Sequence, residues 1–150
     1  MRVIIKCFSV LLLLITIHAA HALKSSELSS DAWKALQEKD WNGTIKITEK
    51  SIKLFEEDAL KQQASLSSFP SPEEAPVYWA LNDVGTCYFI QCQALEKLGN
   101  DKQEELETAL KKIINELSYA QCWDEKGWYW QVAPEAKKKL RQLEFKKMMQ

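Results

Sequence analysis

Residues 77–100 read VYWALNDVGTCYFIQCQALEKLGN. Val77, Leu81, Val84, Tyr88, Gln91, Leu95 and Leu98 recur at alternating steps of four and three, which sets them on one stripe of a helix. The opposite side is not polar: Trp79, Thr86, Ile90 and Ala94 stand there around Asp83. A helix that is apolar on two sides is packed on two sides, so this one is expected at the centre of the fold. Pro76 is tolerated in its first turn, where a backbone N–H has no helical partner. Gly99-Asn100 ends it, because glycine accepts the left-handed turn after a helix.

Working outward, the chain predicts further helices and no strand. Ser29-Ser30-Asp31 reads as an N-cap with a first-turn acid, followed by a short helix to about Lys39. Asp40-Trp41-Asn42-Gly43 reads as a turn. A long helix from about Gly43 to Leu66 follows, with Ile45, Thr48, Ile52, Phe55, Ala59 and Leu66 inward. The stretch 67–75, SSFPSPEEA, holds two prolines and three serines and is the joint of the domain. After the central helix, Asp101 caps another to about Ser118, with Leu106, Leu110, Ile113 and Leu117 on its face. Residues 119–130, YAQCWDEKGWYW, form the densest aromatic patch and read as a turn. Pro134 then opens a last helix over 134–149 with a strongly basic outer side. The expectation is an all-α domain: a hairpin over 30–66, the loop 67–75, a hairpin over 76–118, and the aromatic turn with a capping helix over 119–150.

At 150 residues this is one small domain, and residues 1–22 are set apart from it. Arg2 and Lys6 begin a basic start. Cys7 to Ile17 is an apolar run too short to span a bilayer, and Ala20-His21-Ala22 is a small-x-small cleavage site. A cleavable signal peptide over 1–22 is expected, with a secreted or periplasmic domain over 23–150. Cleavage removes both histidines, His18 and His21, and with them every imidazole-based triad, metal site or acid/base. It leaves 18 of the 20 basic residues against 21 acidic ones, a net of −3, which gives no reason to expect nucleic acid as a partner. No cofactor and no metal ligand set is expected.

Cys87, Cys92 and Cys122 remain. An oxidising compartment favours a disulfide. Cys87 and Cys92 point about 140° apart on their helix, so they do not bridge each other. Cys122 is then one partner, and Cys87–Cys122 is the pairing expected. Three reduced cysteines packed as small apolar residues are the other reading.

Leu81, Val84-Gly85 and Tyr88 stand at the spacing of the helix-A signature of tetratricopeptide repeats, and the two helical hairpins resemble that family over about 30–120. In the first unit Ala32 holds the small position, and Lys39-Asp40-Trp41 is similar to the turn. The family's next glycine falls at Cys92 here and arrives at Gly99 instead. Seven extra residues are about two helical turns, which keeps the apolar face in phase. The alanine usual in the second helix is replaced by Glu104. The strings AWKALQEKDW, ALNDVGTCYFI and SYAQCWDEKGWYW further resemble exported bacterial repeat proteins, some of them named for glucan hydrolysis. The repeat resemblance implies a stack of two antiparallel hairpins plus a C-terminal capping helix. Its implied role is a non-catalytic scaffold that binds a peptide or protein through the faces of its first and third helices. Two units are fewer than such stacks normally need.

Two groups of candidate binding residues follow. Trp79, Asp83, Thr86 and Ile90 share one stripe of the central helix, where Asp83 either bonds a neighbouring helix or faces a groove. Trp123, Trp128 and Trp130 either cover the end of the stack or stack on sugar rings. The second function expected is therefore a glycan-binding or glycan-hydrolysing protein. Hydrolysis needs two carboxyl groups across a bond, and Asp83, Asp124 and Glu125 are the acids set among aromatics. No catalytic residue is assigned, and the protein is expected not to be an enzyme. A subunit that forms homodimers through an apolar face is the third possibility.

Overall fold

The computed structural model describes residues 24–124 and 126–149. The expected signal peptide, with Cys7, His18 and His21, lies outside the described residues, as does Glu125. Among those described are α1 (Ser25–Gln37), α2 (Trp41–Ala64), α3 (Trp79–Leu98), α4 (Gln103–Glu116), β1 (Gln121–Asp124), β2 (Trp128–Gln131) and α5 (Val132–Met148). The fold is mostly helical, and α3 is its hub. It packs on α1, α2, α4, α5 and β1. None of the described helices is long and apolar enough to cross a membrane.

The first helix begins earlier than its serines suggested. Ser25 and Ser29 are not caps at all: both are buried on the inner face of α1. Ser25 Oγ donates to Asp83 of α3, and Ser29 Oγ donates to the Ser26 carbonyl at 3.1 Å. The α1–α2 turn is also displaced from Gly43. Lys39 takes the left-handed conformation there, with φ 62°. Asp40 becomes the N-cap of α2, accepting from Gly43 N at 2.9 Å. The inner face of α2 is narrow, since Thr44, Thr48, Ser51 and Ala59 are fully buried. Such small side chains let α3 come close. Thr48 Oγ1 returns a hydrogen bond to the Thr44 carbonyl at 3.0 Å, so its hydroxyl enters the core satisfied.

The entrance to α3 is held by side-chain amides. Gln62 Oε1 accepts from Leu81 N at 2.9 Å, covering a backbone donor left over at the helix start. Asn82, itself buried, donates from Nδ2 to the Ala75 carbonyl at 2.8 Å and accepts at Oδ1 from Gln121 N at 2.8 Å. Gln121 Nε2 donates to the Pro70 carbonyl at 2.9 Å, and Gln63 Oε1 accepts from Tyr119 N at 3.0 Å. These four amides satisfy the backbone of the 67–75 loop and of the approach to β1, which the helices leave without partners. Gly99, with φ 100°, closes α3 at its far end.

The main core joins Leu81, Val84, Cys92 and Leu95 of α3 to Leu106, Leu110 and Ile113 of α4, Leu117, and Val132, Ala136 and Leu143 of α5. Each fully buried Leu, Ile or Val contributes about 2 kcal/mol. Ala136 and Leu143 of α5 thus close over the α3–α4 pair with Leu140 partly buried beside them, while Phe145, expected inward by the same periodicity, stays 62% exposed.

The expectation of no strand is corrected by the pair β1–β2. They form an antiparallel two-stranded ribbon with Gln121 opposite Gln131, Cys122 opposite Trp130, Trp123 opposite Tyr129 and Asp124 opposite Trp128. The turn between them closes when Gly127 N donates to the Asp124 carbonyl at 2.8 Å, with Gly127 at φ 99°. Only glycine takes that conformation without penalty. An acidic turn ending in glycine between aromatic runs is a hairpin signal. Four-residue strands lack the alternation that would have marked them.

Candidate functional site

The ribbon stands at the end of the molecule where α1, α3 and the start of α5 meet. Its position rests on Gly85. A Cβ at Gly85 would lie 2.4 Å from Cβ of Ala120, the residue that leads into β1. The small residue in the middle of α3 therefore seats the ribbon, where the repeat resemblance would have it admit the next helix. Val132 N donates to the Ala120 carbonyl at 3.2 Å and ties the exit of β2 to the same residue.

Alternation along the strands divides the three tryptophans. Cys122, Asp124, Trp128 and Trp130 share one face; Trp123 and Tyr129 share the other. Trp130 is half-buried and set edge-on to Phe89 of α3, with ring centres 5.2 Å apart at 69°. Trp123, 56% exposed, meets Tyr129 edge-on at 5.0 Å. Trp128, 49% exposed, carries the Lys126 ammonium 5.7 Å from its ring centre, within reach of a cation–π attraction. The expected cluster is therefore one packed indole and two open ones on opposite faces, and not a single flat platform.

Two clefts flank the ribbon. One, of about 660 Å³, lies between β1 and α1; Trp33, Lys34 and Gln37 face Trp123, Lys126 and Trp130 across it. The other, of about 670 Å³, runs along β2, with Phe89, Trp128, Trp130, Pro134 and two carboxylates, Asp124 and Glu135.

The helical stripe is less open. Trp79 is 44% exposed and rests edge-on against Phe55 of α2 at 5.8 Å. Thr86 is 6% exposed and Ile90 0%, so neither is free to touch a partner. Asp83 accepts from Ser25 of α1, which closes the groove that its stripe was expected to line. Burial pushes the Asp83 carboxyl pKa up, and the hydroxyls of Ser25 and Ser29 oppose that rise.

Cys87, Cys92 and Cys122 are free thiols and all buried, so the expected Cys87–Cys122 bridge is not formed in this structure. Each of the two has its own polar neighbour. Cys87 turns to Ser51 of α2, whose buried Oγ has no other partner, whereas Cys122 lies against Thr86 and Trp130. Cys122 Sγ also donates to the Trp123 carbonyl at 3.6 Å. Burial pushes the Cys87 and Cys92 thiols up to about 12 and raises Cys122 as well. At neutral pH these sulfurs stay protonated and unreactive.

The amides were missed. Asn82, Gln121, Gln62 and Gln63 fix the ribbon and the loop, yet nothing in their spacing marks them. Asn82 offered one signal, a polar residue beside Asp83 in the most apolar helix.

No protein-family model, no curated protein and no solved structure matches this chain. The likeness to tetratricopeptide repeats thus rests on the sequence positions Leu81, Val84, Gly85 and Tyr88 alone.

Proposed function

We propose that the chain is an exported, non-catalytic scaffold of the tetratricopeptide-like kind that binds a peptide or protein partner, and that the ribbon is its binding element. The observation that carries this reading is the pair Trp123 and Trp128, two large indoles left half in solvent on a ribbon that is otherwise anchored. Exposed aromatics on a rigid support are what binding surfaces are enriched in, because they lose little entropy when covered. The packing of α3 on both α1 and α2 supports a stack of two hairpins. The basic start and the Ala20-His21-Ala22 site support export.

The test is capture from the periplasm of the source organism with wild type and with W123A/W128A. Both substitutions replace open side chains, so the double variant keeps its circular dichroism and melting temperature. Wild type is expected to retain a protein that the double variant loses. Equal capture by both removes the ribbon from binding.

A glycan-binding role is the second reading, favoured by the same two indoles. Their placement on opposite faces counts against a sugar platform, which needs rings on one side. Titration calorimetry with soluble glucans separates the two; heat that disappears in W123A/W128A would establish the glycan reading.

A further inference from the structure

We infer that β2 is an acceptor edge: an extended peptide carrying a lysine or arginine among apolar residues adds to it as a third strand. The inference rests on the proposed binding role of the ribbon and specifies its mode. The sheet has two strands, so each has one outer edge. Two of the four outward backbone groups of β1 are taken. Gln121 N donates outward to Asn82, and the Trp123 carbonyl accepts from Cys122 Sγ. The first of these bonds shows that odd-numbered residues turn their backbone away from the ribbon. The bond from Val132 N to the Ala120 carbonyl fits the same alternation, with even-numbered pairs bonded to each other. Through the register, Tyr129 and Gln131 of β2 are the residues that face outward. The N–H and C=O of Tyr129 and the N–H of Gln131 have no partner among the described residues, and they border the 670 Å³ cleft.

Natural sheet edges that must stay single carry a lysine, a proline or a bulge. Trp-Tyr-Trp-Gln carries none of these. A strand laid against Tyr129 would exchange backbone hydrogen bonds with it. Every second side chain would enter the cleft between Trp128, Phe89 and Pro134, the arrangement by which strand addition gains selectivity. The ionisable groups lining that cleft beside Tyr129 are Asp124 and Glu135, two acids against the one ammonium of Lys126 that lies over Trp128 at its border, so the residue it selects is a cation flanked by apolar neighbours.

Two ten-residue peptide pools, with valine or threonine at alternate positions and either lysine or aspartate fixed at the centre, are titrated into the ¹⁵N-labelled protein. The lysine pool is expected to bind and to slow hydrogen exchange at the Tyr129 and Gln131 amides at least tenfold. The aspartate pool does neither, and D124K/E135K reverses the preference. Three results overturn the inference: binding of neither pool, binding without protection of those two amides, or equal binding of both pools. A fourth is protection in the free protein together with a doubled mass, which would mean that a second copy occupies the edge. None of these touches the broader binding reading, which fails only if W123A/W128A captures what wild type captures.

Discussion

Gly85 and Ala120 touch because neither has more than a methyl group to place between α3 and the ribbon. Gly85→Ala gains up to about 1 kcal/mol of helix propensity but overpacks a rigid contact, which costs about 1–3 kcal/mol. The net expectation is a loss of about 1 kcal/mol, read as a fall of a few degrees in melting temperature. An unchanged or higher value would mean that Ala120 moves freely. Asp83 offers a test through pH. Its carboxyl pKa rises on folding, so the protonated form is the one that the native state prefers. That contribution is complete below the unfolded value and declines as pH climbs through the raised one. Asp83→Asn keeps an acceptor for Ser25 and has no charge to bury. It should melt higher than wild type at pH 7, with the gap closing as pH falls toward 3.8, the ordinary value. A gap independent of pH refutes the assignment. Asp83 was legible in the sequence as an anomaly, an acid within an apolar helix. Its partner was not, because Ser25 lies ahead of the expected helix start and Ser29 looked like part of its cap.

At the scale of elements, the helices were readable because each carries a run of apolar positions long enough to show a period. α4 is the clearest case: Leu106, Leu110 and Ile113 are all in the core. The ribbon was unreadable for the opposite reason. Four residues hold two alternations at most, and Trp123, Trp128, Tyr129 and Trp130 fill both faces with aromatics. Its tryptophans are accordingly unequal. Trp130→Ala breaks the contact with Phe89 and should cost about 2 kcal/mol, somewhat less than a fully buried tryptophan. Trp128→Ala should stay within about 0.5 kcal/mol, as an open side chain does. Thermal melts of the two variants check the order. Equal losses would mean that the ribbon folds as one unit with the core.

At the scale of the molecule, α3 reaches α1, α2, α4 and α5, which is what its two apolar sides demanded. The three cysteines are part of that packing rather than a brace. A thiol assay on denatured, unreduced protein from residue 23 onward should find three thiols, and almost none on the native form within minutes. One thiol in place of three would show that two of them are bridged. The amides around Asn82 carry a consequence for how the chain is made. The bond from Gln121 to Asn82 joins residues 39 apart, and that from Tyr119 to Gln63 joins residues 56 apart. Contacts of such long reach form late. While the ribosome is still short of Tyr119, the loop and the entrance to α3 have only the bonds from Asn82 to Ala75 and from Leu81 to Gln62. The last part of the chain to emerge therefore completes the fastening of segments made well before it, and a chain stopped short of Tyr119 keeps only those two bonds at the entrance to α3.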